Sequence, residues 1–97
     1  MISTHEKLLI NATSTGSLKF WPGGIAVFTA VASAWNGATI TLQYQEVISG
    51  TLVNAGSTTT LTANGNGVAY LPACWVQATV SGGTPTAAFA NLSRVAE

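Results

Sequence analysis

The hydrophobic and polar positions of this chain divide it into short segments that end at turn-forming residues. The segments are rich in Val, Ile, Thr and aromatic residues. Turn signals stand between them at Pro22-Gly23-Gly24, Asn36-Gly37, Asn54-Ala55-Gly56, Asn64-Gly65-Asn66-Gly67, Leu71-Pro72 and Gly82-Gly83-Thr84-Pro85. Short β-rich segments between turns spaced by about 8–12 residues are typical of antiparallel sandwiches and barrels. The pattern therefore predicts an all-β protein.

The predicted strands are Leu8–Ala12, Leu18–Trp21, Ile25–Ala34, Thr39–Glu46, Thr51–Asn54, Thr58–Thr62, Val68–Leu71, Trp75–Ser81 and Ala87–Val95. We expect them to form an antiparallel β-sandwich of jelly-roll or immunoglobulin-like type with about 7–9 short strands. A chain of 97 residues is long enough for one such domain with a sizeable core, so residues 1–97 are expected to form a single domain. A helix is the alternative for the alanine-rich stretch 25–35. Its apolar residues would surround that helix on all sides, whereas Thr39–Gln45 alternates with period two just beyond the turn.

The clearest local signal is Asn36-Gly37, the residue pair preferred in two-residue type I′ turns. It predicts a hairpin between residues 25–34 and 39–46, in which the short loop fixes the register and opposed side chains share a face. One face, expected to be the core, carries Val27, Thr29, Val31, Ser33 and Trp35 opposite Ala38, Ile40, Leu42, Tyr44 and Glu46. The other face carries Phe28, Ala30, Ala32 and Ala34 opposite Thr39, Thr41, Gln43 and Gln45.

Charge is nearly absent from the body of the chain. Between Phe20 and Ser93 the only Asp, Glu, Lys, Arg or His residue is Glu46, and charged residues make up 6% of the sequence against about 25% in an ordinary soluble domain. Because exposed sheet faces normally carry charge that prevents association, a neutral face indicates contact with another subunit. The candidate subunit interface consists of Phe28, Ala30, Ala32, Thr39, Thr41, Gln43 and Trp75. The alternatives are that another part of the chain covers this face, or that it is exposed and uncharged.

The shortage of ionisable groups also argues against catalysis and metal binding. A Ser-His-Asp triad needs an aspartate, which the sequence lacks, and a zinc site needs three or four ligands where the chain has one histidine and one cysteine. We therefore expect no enzyme activity, no cofactor and no metal. Equal numbers of basic and acidic residues provide no field to attract nucleic acid. No apolar run approaches the roughly 18 residues that span a bilayer, so a membrane is not an expected partner either.

The three tryptophans and the single cysteine have structural interpretations. Trp21, Trp35 and Trp75 are expected to pack in the core or between subunits, and a platform on which a sugar ring stacks is the alternative. Cys74, between Ala73 and Trp75, is expected to be a small buried hydrophobe.

The N-terminal segment is polar. In residues 1–7 most positions are polar, and only Leu8, Leu9 and Ile10 follow before Asn11, which is too short for the apolar region of 7–15 residues in an export signal. We expect residues 1–7 to be a flexible arm that orders on meeting a neighbour, and synthesis in a cytoplasm.

Several stretches of the chain form a set that points to a family. They are Trp21–Phe28 (WPGGIAVF), Asn36–Tyr44 (NGATITLQY), and Val76–Thr86 (VQATVSGGTPT) with Ala90–Val95 (ANLSRV). In order and spacing, and over most of the chain, they resemble small β proteins encoded among the virion genes of tailed bacteriophages. One segment departs from that likeness, because Val47-Ile48-Ser49-Gly50-Thr51-Leu52-Val53 stands where similar sequences often carry a Pro-Asp-Gly turn followed by Trp.

The resemblance implies a capsid decoration or cement subunit that binds the major capsid protein on the outside of the head. Such a subunit would be a homo-oligomer, with a trimer expected because decoration proteins often occupy threefold positions, and it would lie on the virion after assembly in the host cytoplasm. A tail or head-fibre subunit is the alternative, and a carbohydrate-binding or adhesin module is the third interpretation.

Overall fold

The computed structural model describes residues 5–94, which form two antiparallel sheets packed face to face. The strands are β1 (His5–Ala12), β2 (Lys19–Trp21), β3 (Gly24–Val31), β4 (Thr39–Gln45), β5 (Leu52–Asn54), β6 (Thr60–Leu61), β7 (Gly65–Leu71), β8 (Cys74–Ser81) and β9 (Ala88–Arg94). Sheet A has the order β1-β9-β3-β7. Sheet B has the order β2-β8-β4-β5, and β6 pairs with β4 beside β5. The predicted all-β sandwich is therefore confirmed, and each predicted strand overlaps an observed one.

The core lies between the two sheets and takes alternate residues from each strand. Sheet A contributes five alanines together with Phe28, Leu92, Leu8, Leu9 and Leu71, whereas most of the core residues of sheet B are larger than alanine. The largest side chains that are fully buried are Trp21, Phe28, Ile40, Leu42, Leu92 and Val76. Since each large aliphatic or aromatic side chain contributes about 1.5–3 kcal/mol on burial, these residues provide much of the driving force for packing the two sheets.

The predicted hairpin between β3 and β4 is wrong, although its turn forms. Asn36 and Gly37 have φ angles of 51° and 80°, and the Ala38 N–H donates to the Trp35 carbonyl at 2.8 Å, as in a type I′ turn. However, β3 pairs with β7 and β9, whereas β4 pairs with β5, β6 and β8. The turn therefore lies in a crossing from sheet A to sheet B.

The crossing, residues 32–38, is held by hydrogen bonds to a distant segment. The Ser33 N–H donates to the Thr86 carbonyl at 3.0 Å, and the Thr86 N–H donates to the Ala34 carbonyl at 2.8 Å. The Asn36 Nδ2 donates to the Thr84 carbonyl at 2.9 Å. These partners are about 50 residues away in the sequence, so no local pattern could reveal them.

The crossing also reverses the expected orientation of β3. Phe28 and Ala30, which were expected at a subunit interface, are completely buried in the core. Val31, which was expected in the core, is exposed, and Val27 is half-buried on the outer face of sheet A. The assignment of β3 depended on its pairing with β4, and it fails because the two strands lie in different sheets. For β4 the prediction is confirmed, because Ile40 and Leu42 are core residues.

The predicted flexible arm is wrong for the part of it that the structure describes. His5, Glu6 and Lys7 begin β1 and pair with Ser93, Leu92 and Asn91 of β9. Residues 1–4 and 95–97 lie outside the described part of the chain. Within residues 5–94, no helix is long and apolar enough to cross a membrane.

Candidate subunit interface

The residues expected at one interface lie in three places. Phe28 and Ala30 are in the core, as described above. Ala32 is half-buried in the crossing, where its N–H donates to the Asn64 Oδ1 at 2.9 Å. The remaining members, Thr39, Thr41, Gln43 and Trp75, lie on the outer face of sheet B, where Thr41 is buried and the other three are partly exposed. The structure therefore retains only the part of the prediction that came from β4 and β8.

The outer face of sheet B consists of rows of uncharged side chains that run across the strands. One row contains Thr79 of β8, Thr41 of β4 and Thr60 of β6. The next contains Gln77, Gln43 and Asn54, and at the far end Phe20 of β2 pairs with Trp75 of β8. The face thus changes from hydroxyl groups, through amides, to aromatic rings, without a charged side chain in these rows.

The amide row has a defined direction. The Gln77 Nε2 donates to the Gln43 Oε1 at 3.4 Å, and the Gln43 Nε2 donates to the Asn54 Oδ1 at 2.7 Å. Cross-strand side chains of this kind stabilise a sheet by about 0.2–1 kcal/mol per pair. The amides of three strands are therefore held in a fixed arrangement on the surface.

The outer face of sheet A is more apolar, and it was not predicted as an interface from the sequence. Ile25 of β3 pairs with Tyr70 of β7, Val27 pairs with Val68, and Val31 pairs with Phe89 of β9. Tyr70, Val68, Phe89, Ile25 and Val31 are 74%, 47%, 43%, 42% and 39% exposed. Exposed apolar side chains that are grouped on one face of a sheet mark an interaction surface. We call these six residues, Ile25, Val27, Val31, Val68, Tyr70 and Phe89, the apolar face of sheet A.

A neutral row divides the apolar face of sheet A. Asn66, Thr29 and Asn91 form this row, which continues to Lys7 on the edge strand β1. The row that contains Val27 and Val68 continues through Ser93 of β9 to His5 on the edge strand β1. Lys7 and His5 therefore lie at the margin of this face, and the rows at its centre contain no charged side chain.

Arg94 is also removed from the apolar face of sheet A. Its Nη2 donates to the Gly23 carbonyl at 2.6 Å, and its Cζ lies 5.8 Å from the centroid of the Trp21 ring. These contacts direct the guanidinium group toward β2 at the end of the sandwich. The cation thus serves packing between the sheets.

Glu46, the isolated carboxylate of the central chain, stabilises the turn between β4 and β5. It accepts hydrogen bonds from the Ser49 N–H at 2.8 Å, the Ile48 N–H at 3.0 Å and the Ser49 Oγ at 2.8 Å. The backbone N–H groups of Ser49 and Ile48, followed by the Ser49 hydroxyl, favour the ionised form and lower the pKa of Glu46. The turn holds Val47 and Ile48 outward, 81% and 94% exposed.

The tryptophans have three different environments. Trp21 is fully buried in the core. Trp35 is half-buried, and its Nε1 donates to the Asn64 Oδ1 at 2.8 Å, so it fixes the crossing to the loop after β6. Trp75 is 47% exposed on the outer face of sheet B. Cys74 is buried as predicted, and its burial raises the pKa of the thiol.

Neither a metal cluster nor a known relative supplies a function. In the part of the chain that the structure describes, no three His, Cys, Asp or Glu side chains lie together as metal ligands would. No protein-family model matches the sequence, no curated protein matches it, and no solved structure matches the fold.

Proposed function

We propose that this protein is a non-catalytic structural subunit of a tailed-bacteriophage virion, acting as a decoration or cement protein on the capsid. The observation that carries the proposal is the apolar face of sheet A, whose centre is free of charge. Exposing a face of this kind to water raises the free energy, and covering it with a protein surface lowers it.

The partner proposed for the apolar face of sheet A is a second copy of the same chain. An interface of standard size buries ~800 Å² on each partner. This area is less than a sixth of the 5215 Å² accessible surface of the chain. A neutral face meets a copy of itself without bringing like charges together, whereas a charged face would repel its copy. Only 6% of the residues in the chain are charged, so little charge repulsion opposes its self-association.

The capsid is the proposed second partner, and the resemblance to small β proteins of tailed-phage virions supports it. In this arrangement the apolar face of sheet A joins copies of the chain, and other exposed surfaces contact the major capsid protein. The projecting Val47 and Ile48 side chains are the proposed capsid contact, since a rigid turn can place them in a groove of the lattice. A tail or head-fibre location is the alternative within the same structural class.

The test is a cryo-EM reconstruction of virions that carry this chain, compared with virions that carry the Ile48→Ser variant. We expect density for the subunit at repeated positions on the head lattice, and reduced occupancy in the variant. Ser57→Ala, at another exposed position, serves as the control and should leave occupancy unchanged. Density confined to the tail, or none on the particle, would overturn the capsid assignment.

A further inference from the structure

A cleft opens beside Trp75 on the outer face of sheet B, where β4 continues into the turn before β5. The cleft has a volume of about 390 Å³ and is lined by residues 45–50 and Trp75. Sites for small molecules typically have volumes of ~300–1,000 Å³. The cleft is therefore large enough for a small ligand, and its walls determine which kind.

Trp75 forms the aromatic wall of this cleft in a supported position. Phe20 packs against it in an edge-to-face arrangement, with 5.5 Å between ring centroids and an interplanar angle of 72°. Phe20 belongs to β2, on the side of β8 away from β4, whereas the cleft lies on the β4 side. The indole, 47% exposed, thus has a rigid neighbour on one side and open space on the other.

The opposite wall contributes hydrogen-bond acceptors. Three hydrogen bonds within the turn orient the Glu46 carboxylate, which has about four acceptor sites and so retains capacity for another donor. The Gln45 Nε2 donates to the Gly50 carbonyl at 3.1 Å, which directs this amide along the turn. Both groups are fixed before a ligand arrives, which reduces the entropy lost on binding.

The amide row extends this wall onto the sheet. Gln77, Gln43 and Asn54 use one donor each at most in the row, so each amide keeps at least one N–H that can donate to a ligand. The cleft and the amide row contain no lysine, arginine or histidine, and Glu46 is their only charged side chain. This chemistry disfavours phosphate, sulfate and carboxylate groups and suits a neutral ligand that carries many hydroxyl groups.

We propose that the cleft between Trp75 and the β4–β5 turn, together with the amide row, binds a neutral oligosaccharide. The indole stacks on the apolar face of a sugar ring, and the hydroxyl groups of the sugar donate to Glu46 and Gln45 and accept from the amide row. This site lies on the face opposite the apolar face of sheet A, so it does not depend on self-association through that face. Val47 and Ile48, the proposed capsid contact, also line the cleft, so a subunit that is bound to the capsid through this turn would not bind the saccharide there.

The test is NMR titration of the full-length ¹⁵N-labelled chain with three neutral probes: maltohexaose, cellohexaose and hexa-N-acetylchitohexaose. Each is added up to about 10 mM, which is ten times a Kd of ~1 mM. We expect at least one probe to shift the Trp75 indole N–H signal while the Trp21 and Trp35 signals stay in place. Trp75→Ala should weaken binding of that probe by about tenfold or more, and Ile10→Ala, at an exposed position of β1 outside both proposed surfaces, should leave it unchanged.

Light scattering of the Trp75→Ala variant separates this proposal from self-association through the same face. We expect the variant to keep the wild-type mass and circular dichroism. A fall in mass would show that Trp75 lies in a subunit contact and would overturn the saccharide assignment. Absence of any Trp75 shift with all three probes would overturn it as well, and neither result bears on the apolar face of sheet A.

Discussion

Arg94 and Trp21 connect the two sheets at one end of the sandwich. The Arg94 Cζ lies 5.8 Å from the centroid of the Trp21 ring, and the Arg94 Nη2 donates to the Gly23 carbonyl at 2.6 Å. Arg94 ends β9 of sheet A, whereas Trp21 ends β2 of sheet B. One side chain therefore combines a cation–π contact and a charge-assisted hydrogen bond across the two layers.

Removing this guanidinium group should destabilise the fold. We expect Arg94→Met, which keeps an unbranched apolar stem, to lower the free energy of unfolding by about 1–3 kcal/mol because a hydrogen bond from a charged donor is lost. Urea denaturation followed by fluorescence measures the change. Lys19→Met is the matched control, since Lys19 is an exposed cation on β2, and it should change stability by less than about 0.5 kcal/mol.

Adjacent residues of β3 should respond oppositely to a lysine. Phe28 is completely buried, so Phe28→Lys places an ammonium group in the core and should unfold the chain. Val27 lies on the outer face of sheet A opposite Val68, so the fold should survive Val27→Lys, in which the long side chain reaches solvent. Circular dichroism distinguishes the two results. A folded Phe28→Lys variant beside an unfolded Val27→Lys variant would show that β3 is oriented as in the hairpin predicted from the sequence.

Two glycines of β7 offer a matched test of packing at the edge of sheet A. A Cβ atom at Gly67 would overlap the backbone carbonyl of Thr58 in the short 3₁₀ turn Ser57–Thr59, whereas a Cβ at Gly65 would meet its nearest atom, the Ala63 carbonyl oxygen, at 3.7 Å. Gly67→Ala should therefore cost about 1–3 kcal/mol, because the turn that covers this edge must move. Gly65→Ala should be near neutral. Thermal unfolding of both variants measures this, and equal effects would contradict the close approach.

The order of the β4–β5 turn should depend on pH through Glu46. Its pKa is lowered from an ordinary value of 4.5, so the ionised carboxylate stabilises the turn fully above about pH 4.5 and loses this effect as the pH falls through the folded-state pKa. The amide signals of Ile48 and Ser49 should titrate together in NMR spectra at acid pH. Glu46→Gln should abolish this titration. Signals that titrate at the ordinary value or above would contradict the hydrogen bonds to the carboxylate.

The strands could be predicted from sequence because turn residues and β-rich segments are local signals. The alternation of Thr39–Gln45 correctly placed Ile40 and Leu42 in the core. Strand pairing was not predictable in the same way. Asn36-Gly37 specifies a turn, but whether the strands beside it pair depends on distant segments such as 84–86, which hold the crossing.

The candidate site was predicted in part for the same reason. The neutral side chains of β4 and β8 were correctly expected on an outer face. The apolar face of sheet A was missed because Val27 and Val31 look like core residues, while Ala26 and Ala30, which are buried, look like a small exposed stripe. The larger valines of β3 were therefore predicted in the core and its alanines on the surface. In the structure the alanines face the core, because Phe28, Leu92 and the large residues of sheet B already fill most of the space between the sheets.

The most direct test of the central claim, that the apolar face of sheet A joins copies of this chain, is sedimentation equilibrium of the wild type and Val68→Lys at micromolar concentration. The account predicts a wild-type mass that is a multiple of 9.9 kDa. It predicts that Val68→Lys is a folded monomer, because assembly would bury an unpaired ammonium group. Gln77→Lys, which adds the same charge to sheet B, should keep the wild-type mass. A wild type that sediments as a 9.9 kDa monomer, or a Val68→Lys variant with unchanged mass, would contradict the claim.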